Sequence, residues 1–492
     1  VRPPAPDLAA DVLVVGAGPA GIAAACRAAE AGARVVLVDE AAAPGGQIWR
    51  TDVTRDAPDG LAALWLRRLA ACGARWVGGT AVVDALPGPV LLVDGPRGAR
   101  RLAAPRLVIA TGARELFLPF PGWTLPNVVG AGGAQALLKS GAVMRGRRAV
   151  VAGSGPLLLP VAAALAHAGA RVALVAEQAP AGAVARFAAG LVHRPRLLAQ
   201  AARYRAAFRP APYRCGVWVR EARGGPGGAG AAGRENRTGP GGAGSTVREV
   251  VLTDGRRSWS VPCDLLACAF GLVPNLELPR LLGCALDGGG GMPRVVSVDA
   301  WQQTSVPGVH CAGELTGIGG LELALLSGQI AGLAAALGSA APPADGAGGP
   351  PSRSRAASSA GAATATAREL RRLCRARDRE RRHVAALGRA FRPRPELRRL
   401  AAPDTPVCRC EDVALGRLDP AWTPRQAKLY TRLGMGPCQG RVCAPALEFL
   451  FGWDQPDSVR PPLQPVALAT LAGLCAAPPA TDHGVTTASR GD

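Results

Sequence analysis

Four cysteines near the C-terminal end are spaced for chemistry: Cys408-Arg409-Cys410, then Cys438-Gln439-Gly440-Arg441-Val442-Cys443. A C-x-C pair followed by a C-x4-C pair offers four thiolates from two short loops. Such a set can surround a [2Fe-2S] cluster or a Zn2+ ion. Zinc sites often use C-x2-C spacing, so the cluster is the stronger reading. A chance gathering of structural cysteines is the bland one. Arg409 and Arg441 then either tune such a centre or lie solvated on the surface. The chain has 13 cysteines, and most of the others, such as Cys26, Cys263 and Cys268, stand singly in apolar stretches. Those read as small buried hydrophobes rather than a disulfide framework.

A second constellation lies near the start: Gly16-Ala17-Gly18-Pro19-Ala20-Gly21. Here Gly16 permits a tight turn, Gly18 lets the backbone approach a pyrophosphate, and Gly21 lets a helix pack close to a strand. The helix N-terminus offers N–H groups and a positive dipole end to the phosphates. An acid should then accept the ribose hydroxyls. Counting forward from the glycines favours Asp39; counting back from Gly45-Gly46 favours Glu40. The sequence leaves that choice open.

These residues need a strand, a turn and a helix to position them. Residues 11–15, DVLVV, read as a buried parallel strand, 19–31 as a helix stopped by Gly32, and 34–38 as a second buried strand. The pattern recurs: strand 148–152, the turn Gly153-Ser154-Gly155-Pro156, a helix to His167, and strand 171–175 ending near Glu177. In this second turn Leu158 stands where the third glycine belongs. Either NAD or another adenine nucleotide sits at Gly153, Gly155 and Glu177, or the fold is retained with an empty or repurposed site. The missing glycine favours the latter.

The run 16–21 followed by Pro44-Gly45-Gly46-Gln47 resembles two-dinucleotide-domain flavoproteins of the glutathione and thioredoxin reductase type. The segment VIATG at 108–112 looks like their strand and turn returning to the flavin. VPGVHCAGE at 306–314 resembles the late motif whose acid holds the ribityl chain, with Glu314 where Asp is usual. The resemblance implies FAD, held by Gly16, Gly18, Pro19, Ala20, Gly21, Asp39 or Glu40, Gly46, Gln47, Thr111, Gly112, Gly313 and Glu314. VCRCEDV and GMGPCQGRVC resemble the small Fe–S module typified by bacterioferritin-associated ferredoxin, which implies a [2Fe-2S] cluster on Cys408, Cys410, Cys438 and Cys443. FPGWTLPNVVGAGGAQALLKSG at 120–141, GSGPLLL at 153–159 and AGELTGIGGLELALLSGQIAG at 312–332 complete the pattern. Together they resemble the larger flavoprotein subunits of opine oxidase, D-hydroxyproline dehydrogenase and hydrogen cyanide synthase. The α subunit of heterotetrameric sarcosine oxidase is a more distant likeness.

The resemblance implies an α/β fold with two Rossmann-like, glutathione reductase-type domains and a small helical C-terminal [2Fe-2S] domain. The expected FAD domain covers 10–120 and 297–337, and the second dinucleotide-binding-like domain 121–296. A Gly/Pro-rich insertion near 223–245, a linker at 338–366 and a tail at 476–492 read as disordered, for want of apolar surface to offset chain entropy. A charged helical connector is expected at 367–400 and the cysteine module at 401–475. No redox CxxC lies in either large domain, so a disulfide relay is not expected. By resemblance the chain relays electrons from amine or amino-acid oxidation in a smaller flavoprotein subunit towards a quinone or carrier. The rival readings are a self-contained NAD(P)H-dependent reductase and a non-catalytic assembly subunit. No His, Tyr or carboxylate stands out as a substrate base; His167, His193 and His310 read as structural.

The 492 residues suggest about three domains. The net charge of +21 is nearly all Arg, since Lys occurs only at 139 and 428. No nucleic-acid module accompanies that charge, so it reads as compositional bias rather than a nucleic-acid partner. Residues 1–10 lack a signal pattern, and the apolar stretch 149–176 is broken by Gly, Pro, His and Arg. The expectation is no transmembrane segment and a cytoplasmic protein, with at most a peripheral place at the inner face of a membrane.

Overall fold

Val12-Leu13-Val14-Val15 carries no polar side chain to present to water, and it forms a strand buried at every position, β1 (Val12–Val15). The computed structural model describes residues 8–50, 60–86, 90–225, 246–289, 292–339, 353–454 and 459–475. After β1 comes α1 (Pro19–Glu30), with proline in its first turn, where no N–H is needed. The strands β2 (Val35–Val38), β3 (Arg75–Val77) and β4 (Arg106–Ile109) follow. The chain then builds a second unit: β5 (Val128–Gly130), α2 (Ala131–Lys139), β6 (Arg148–Gly153), α3 (Leu158–His167), β7 (Arg171–Glu177), β8 (Tyr213–Cys215) and β9 (Leu265–Ala269). It returns to the first unit with β10 (Val309–Cys311) and α4 (Gly320–Ser339).

Each unit is a parallel five-stranded sheet, in the orders β10-β4-β1-β2-β3 and β5-β9-β6-β7-β8. Both Gly-rich turns therefore leave a central strand, β1 or β6, where the strand order reverses. That is where open α/β sheets bind ligands. Each unit also carries a second sheet: in the first, Ala81–Leu86, Val90–Asp94 and Arg100–Ala103 run antiparallel and Leu8–Ala9 adds to the last in parallel; in the second, Trp218–Gly225, Thr246–Thr253 and Ser258–Pro262 are antiparallel. Gly225 pairs with Thr246, so the insertion expected at 223–245 joins neighbouring strands. Its residues 226–245 lie outside the described residues, as do 340–352 and 476–492.

The first unit is held by two helices lying backbone against backbone. A Cβ on Gly328 would run into the Ala20 carbonyl, and one on Gly332 into that of Ala24. Residues 320–338 are long and apolar enough to cross a membrane, yet Leu325, Ala331 and Ala335 pack in the core with α1. Ile330 and Leu333 of α4 meet Leu370 on its other side. This is a core helix.

Two expectations about the chain's second half need correction. The long helix α5 (Arg353–Ala390) starts well before residue 367. Its Ala-rich first turns favour helix although they carry no apolar periodicity. Part of its charge is buried: Arg377 donates to the Ala300 carbonyl at 2.7 Å and to Gln302 Oε1 at 3.1 Å. Glu369 and Glu380 pair with Arg27 and Arg194 on the two large units. Finally, the cysteine module is shorter than 401–475. Its core is Val407, Cys408, Val413, Leu418, Ala427, Leu433, Cys443, Leu447 and Trp453. Beyond it, Leu463 packs in the first unit and donates its N–H to Val83 O at 2.7 Å.

The Gly332→Val substitution should wedge α4 off α1. We expect a loss of about 1–3 kcal/mol, read as a lowered Tm in thermal denaturation, because the opposing atom is backbone and cannot move aside.

Candidate functional site

The first Gly-rich turn uses its three glycines differently. Gly16 has φ +100°, and a Cβ there would strike the Ala110 carbonyl. A Cβ on Gly21 would strike the Gly16 carbonyl, so α1 can start this close to β1 only with glycine. Gly18 has an ordinary φ of −73°, and a Cβ there would meet nothing within 4 Å. Gly18 is thus glycine for the sake of the space before it. The N–H groups of Gly18, Ala20 and Gly21 have no acceptor among the described residues, while Pro19 has no N–H to satisfy. Three donors converge on open space at a helix N-terminus, which is the geometry a pyrophosphate needs.

The structure separates the two candidate acids. Asp39 Oδ2 accepts the Ala17 N–H at 2.5 Å and its Oδ1 accepts the Ala41 N–H at 2.7 Å. Asp39 therefore ties the turn to β2. Glu40 is exposed and has no hydrogen bond or ion pair among the described residues. The loop after it closes over the turn: Gly45 N–H donates to Ala17 O at 2.8 Å, and a Cβ on Gly46 would lie 2.8 Å from the Gly18 Cα. Exposed Gln47 is held from the second unit, where Lys139 Nζ donates to the Gln47 and Ile48 carbonyls at 3.1 and 3.0 Å.

The turn after β4 is also bridged. Thr111 Oγ1 donates to Asn275 O at 3.2 Å, Asn275 Nδ2 to Thr111 O at 2.8 Å, and Asn275 N–H to Gly112 O at 3.0 Å. Gly313, at φ +74°, lies against the start of α1, where a Cβ would come 2.9 Å from Ala20 Cβ. Glu314, the expected ribityl ligand, is engaged within the chain. Its two oxygens accept the Gly319 and Gly320 N–H groups at 2.8 and 2.9 Å, capping α4, whose glycine start supplies no side-chain cap.

The four candidate cysteines gather in one module as two contacting pairs, Cys408 with Cys443 and Cys410 with Cys438. Cys408 lies in the strand Pro406–Cys408, and Cys443 is the first residue of α6 (Cys443–Phe451). The Cys443 contact, with N–H groups of Gly434, Glu411 and Cys410 aimed at its sulfur, holds the Cys408 thiol down to about 5. The same contact pushes Cys443 up. Cys408 and Cys443 are buried and Cys410 is exposed. As placed, no group of three or more His, Cys, Asp or Glu among the described residues is arranged to hold a metal ion. Of the two arginines beside these cysteines in sequence, Arg409 is exposed and Arg441 half-buried. Arg409 stacks on Trp123 at 5.4 Å, and Arg441 reaches Glu277 at 3.6 Å and the Leu463 carbonyl.

Those contacts reveal residues that spacing did not mark. Asn275 Oδ1 accepts from Arg114 at 2.9 Å, and Arg114 pairs with Glu277 at 2.7 Å. A polar chain thus runs from Thr111 through Asn275, Arg114 and Glu277 to Arg441, inside the C-x4-C loop. Burial works against the charge on Glu277, but Arg114 and Arg441 outweigh it and keep its carboxyl below the ordinary range. Trp123 Nε1 donates to Pro406 O at 2.6 Å, two residues before Cys408.

The second turn is built differently. Gly155 is at φ +93°, and its N–H donates to Glu177 Oε2 at 2.7 Å; Glu177 Oε1 accepts the Ala179 N–H at 2.8 Å. Glu177 is fully buried, which pushes its carboxyl up to about 7. Leu158 is buried, and α3 starts there, whereas α1 starts two positions earlier in its own turn, at Pro19. The leucine side chain is accommodated by unwinding the beginning of the helix.

A sequence-family model described as pyridine nucleotide-disulphide oxidoreductase matches residues 10–189. The A-type subunit of opine oxidase from Rhizobium meliloti is 34% identical over 94% of this chain and 98% of its own length. The HcnB subunit of hydrogen cyanide synthase from Pseudomonas aeruginosa is 31% identical over 88% of this chain and 90% of its own. The chain belongs to the family of these two subunits. Membership makes it an FAD-linked oxidoreductase, in agreement with the first turn. Among solved structures, L-proline dehydrogenase from P. horikoshii superposes with a TM-score of 0.59 at 19% identity, covering 94% of this chain and 79% of that one. Thioredoxin reductase from T. acidophilum covers 68% of this chain with a TM-score of 0.51 at 22% identity. Both show a shared fold.

For this family member, Gly18→Val is a clean probe. The position has an unstrained φ and no protein atom within reach of a Cβ. The variant should fold with wild-type stability yet lose bound flavin, read as absorbance at the flavin bands per mole of purified protein. A yellow, stoichiometric variant would exclude this turn as the flavin site.

Proposed function

We propose that this chain is the flavin and iron–sulfur subunit of an amine or amino-acid dehydrogenase, relaying electrons released when a partner flavoprotein subunit oxidises a CH–NH donor. Two relatives carry names of subunits, of opine oxidase and of hydrogen cyanide synthase, which supports a partner chain. The single observation that carries the relay reading is the polar chain from Thr111 to Arg441, because it fixes the flavin-side turn against the cysteine module.

In this reading Gly18, Ala20 and Gly21 N–H groups hold the pyrophosphate of FAD and Glu40 takes the ribose hydroxyls, leaving Asp39 to brace the turn. Gly46, Gln47, Thr111 and Gly112 line the way to the flavin. Cys408, Cys410, Cys438 and Cys443 hold a [2Fe-2S] cluster. The donor set suits it: two thiol pairs from two loops, with main-chain N–H groups directed at Cys408 and Cys410. Glycine at 436 allows that approach, since a Cβ there would collide with the Cys410 Cβ. When bound, the two cofactors supply uptake of an electron pair and its release one electron at a time. The protein's own part is positional: Glu277 clamps Arg114 and Arg441, and Trp123 clamps the strand leading to Cys408. No step requires a protein acid or base here, so the substrate site belongs to the partner.

Purification of the chain with its bound partner, followed by flavin, iron and sulfide analysis, tests this directly. We expect one FAD and two irons per chain. Cys438→Ser should remove iron, sulfide and the reduced-state paramagnetic signal while leaving flavin in place. Unchanged iron content would defeat the ligand assignment, and an iron-free wild type purified without oxygen would defeat the relay.

A further inference from the structure

We propose that the second dinucleotide fold has exchanged its nucleotide for a piece of its own chain. Phe391–Arg394, which follows α5, is the resident ligand of the turn Gly153–Leu158. This concerns binding alone and stands apart from the relay reading.

The contacts are those of a ligand in a pocket. Ser154 Oγ donates to the Phe391 carbonyl at 2.8 Å. Gln178, fully buried, reads the segment on both sides: its Nε2 donates to Arg392 O at 3.1 Å and to Ser154 Oγ at 2.8 Å, and its Oε1 accepts the Arg394 N–H at 3.0 Å. Phe391 lies over the turn itself, where a Cβ on Gly155 would be 3.9 Å from the Phe391 Cβ and Cγ. Its ring meets Phe187 edge-on at 5.2 Å, and the Arg394 guanidinium lies over Trp218 at 4.4 Å. The segment is thus held by main-chain hydrogen bonds through its middle and by ring contacts at its ends.

The turn, in contrast, has almost nothing left for a pyrophosphate. Ser154 N–H donates to Ala269 O, Gly155 N–H to Glu177, Leu158 N–H to Gly155 O and Leu159 N–H to Pro156 O. Pro156 has no N–H at all. In the first turn the corresponding stretch keeps Gly18, Ala20 and Gly21 N–H groups without protein acceptors among the described residues. The acid that would meet the ribose is also engaged, because both Glu177 oxygens accept main-chain N–H groups inside the core. The differences at the helix start accompany one substitution in the pattern. With Leu158 the helix begins two residues later, the Gly155 and Pro156 carbonyls take the Leu158 and Leu159 N–H groups, and in this stretch only the Leu157 N–H keeps no acceptor among the described residues. A tethered segment then competes at an effective concentration of about 1 mM before any contact is counted.

The occupant also has a structural task. Pro395–Arg399 forms the next turn, and Leu397 enters the second unit's core beside Ala446 of α6. The old nucleotide site therefore anchors the chain leading into the cysteine module.

The test uses the full, flavin-loaded chain, titrated with NADH and with ADP. Hydrogen–deuterium exchange is followed at the Arg394 amide, and retained nucleotide is measured by equilibrium dialysis. We expect a protected Arg394 amide, no change in its exchange with either nucleotide, and Kd values above about 1 mM. In S154A/Q178A, exchange at Arg394 should rise about tenfold or more, and nucleotide Kd should fall by a similar factor. Phe391→Gly, which leaves the socket residues in place, gives the same two readouts if the double variant does not fold. The proposal is overturned by wild-type binding of either nucleotide with Kd below about 0.1 mM, by an unprotected Arg394 amide, or by variants that release the segment and bind nucleotide no better.

Discussion

The tightest constraint in the molecule is the contact of α1 with everything around it. Its first turn touches the carbonyl of Gly16, and one flank touches Gly328 and Gly332 of α4, with no side chain between the backbones. A helix held at this distance on two sides cannot rotate or slide without a collision of main-chain atoms. Its N-terminal N–H groups are therefore aimed at one point, the space in front of Gly18. The binding geometry is set by packing in the core, not by any side chain that would touch the ligand. Asp39 completes it by fixing Ala17, and Gly313 and Gly46 bring two distant loops to the same point.

Comparison of the two turns shows how much rests on one glycine. Gly21 and Leu158 hold equivalent places. With glycine, the helix begins at the proline and leaves three donors free; with leucine, it begins two residues later, and the Leu158 and Leu159 N–H groups turn to the Gly155 and Pro156 carbonyls. The two sheets have the same five-strand parallel plan, so the divergence does not arise from the fold. It is a local steric choice, about one side chain's volume, that decides whether a dinucleotide fold presents a phosphate site or a socket for peptide.

This explains which features were legible in the sequence. The roles of Gly16 and Gly21 were, because a glycine requirement is local and follows from the strand–turn–helix pattern alone. The gathering of Cys408, Cys410, Cys438 and Cys443 in one module was legible from spacing for the same reason. The different surroundings of Asp39 and Glu40 were not: adjacent residues at a strand end point opposite ways, and the direction depends on where the pleat stops. The bonds of Glu314 to Gly319 and Gly320 were not legible either, because those partners come from a helix start that no motif marks. Asn275 and Glu277 were invisible because their value lies in reaching Thr111 and Arg441, both more than 150 residues away in sequence. The start of α5 at Arg353 was hidden by a composition that favours helix without any apolar rhythm.

The arginine excess takes on a different sense in three dimensions. In the sequence a net charge of +21 reads as compositional bias. Several arginines instead work between parts of the chain. Arg27 and Arg194 bind Glu369 and Glu380 of α5, Arg377 of α5 is itself buried, and Arg114 and Arg441 meet on Glu277. Guanidinium groups suit this task, since they pair with carboxylates or carbonyls and stack on rings such as Trp123 and Trp218 in the same contact. An assembly of two dinucleotide folds, a long helix and a small cysteine module has many seams and only 36 acidic side chains to share among them. The acids at the seams, Glu277, Glu369 and Glu380, are therefore the scarce partners. The register of the cysteine module against the flavin-side turn depends on the first of these.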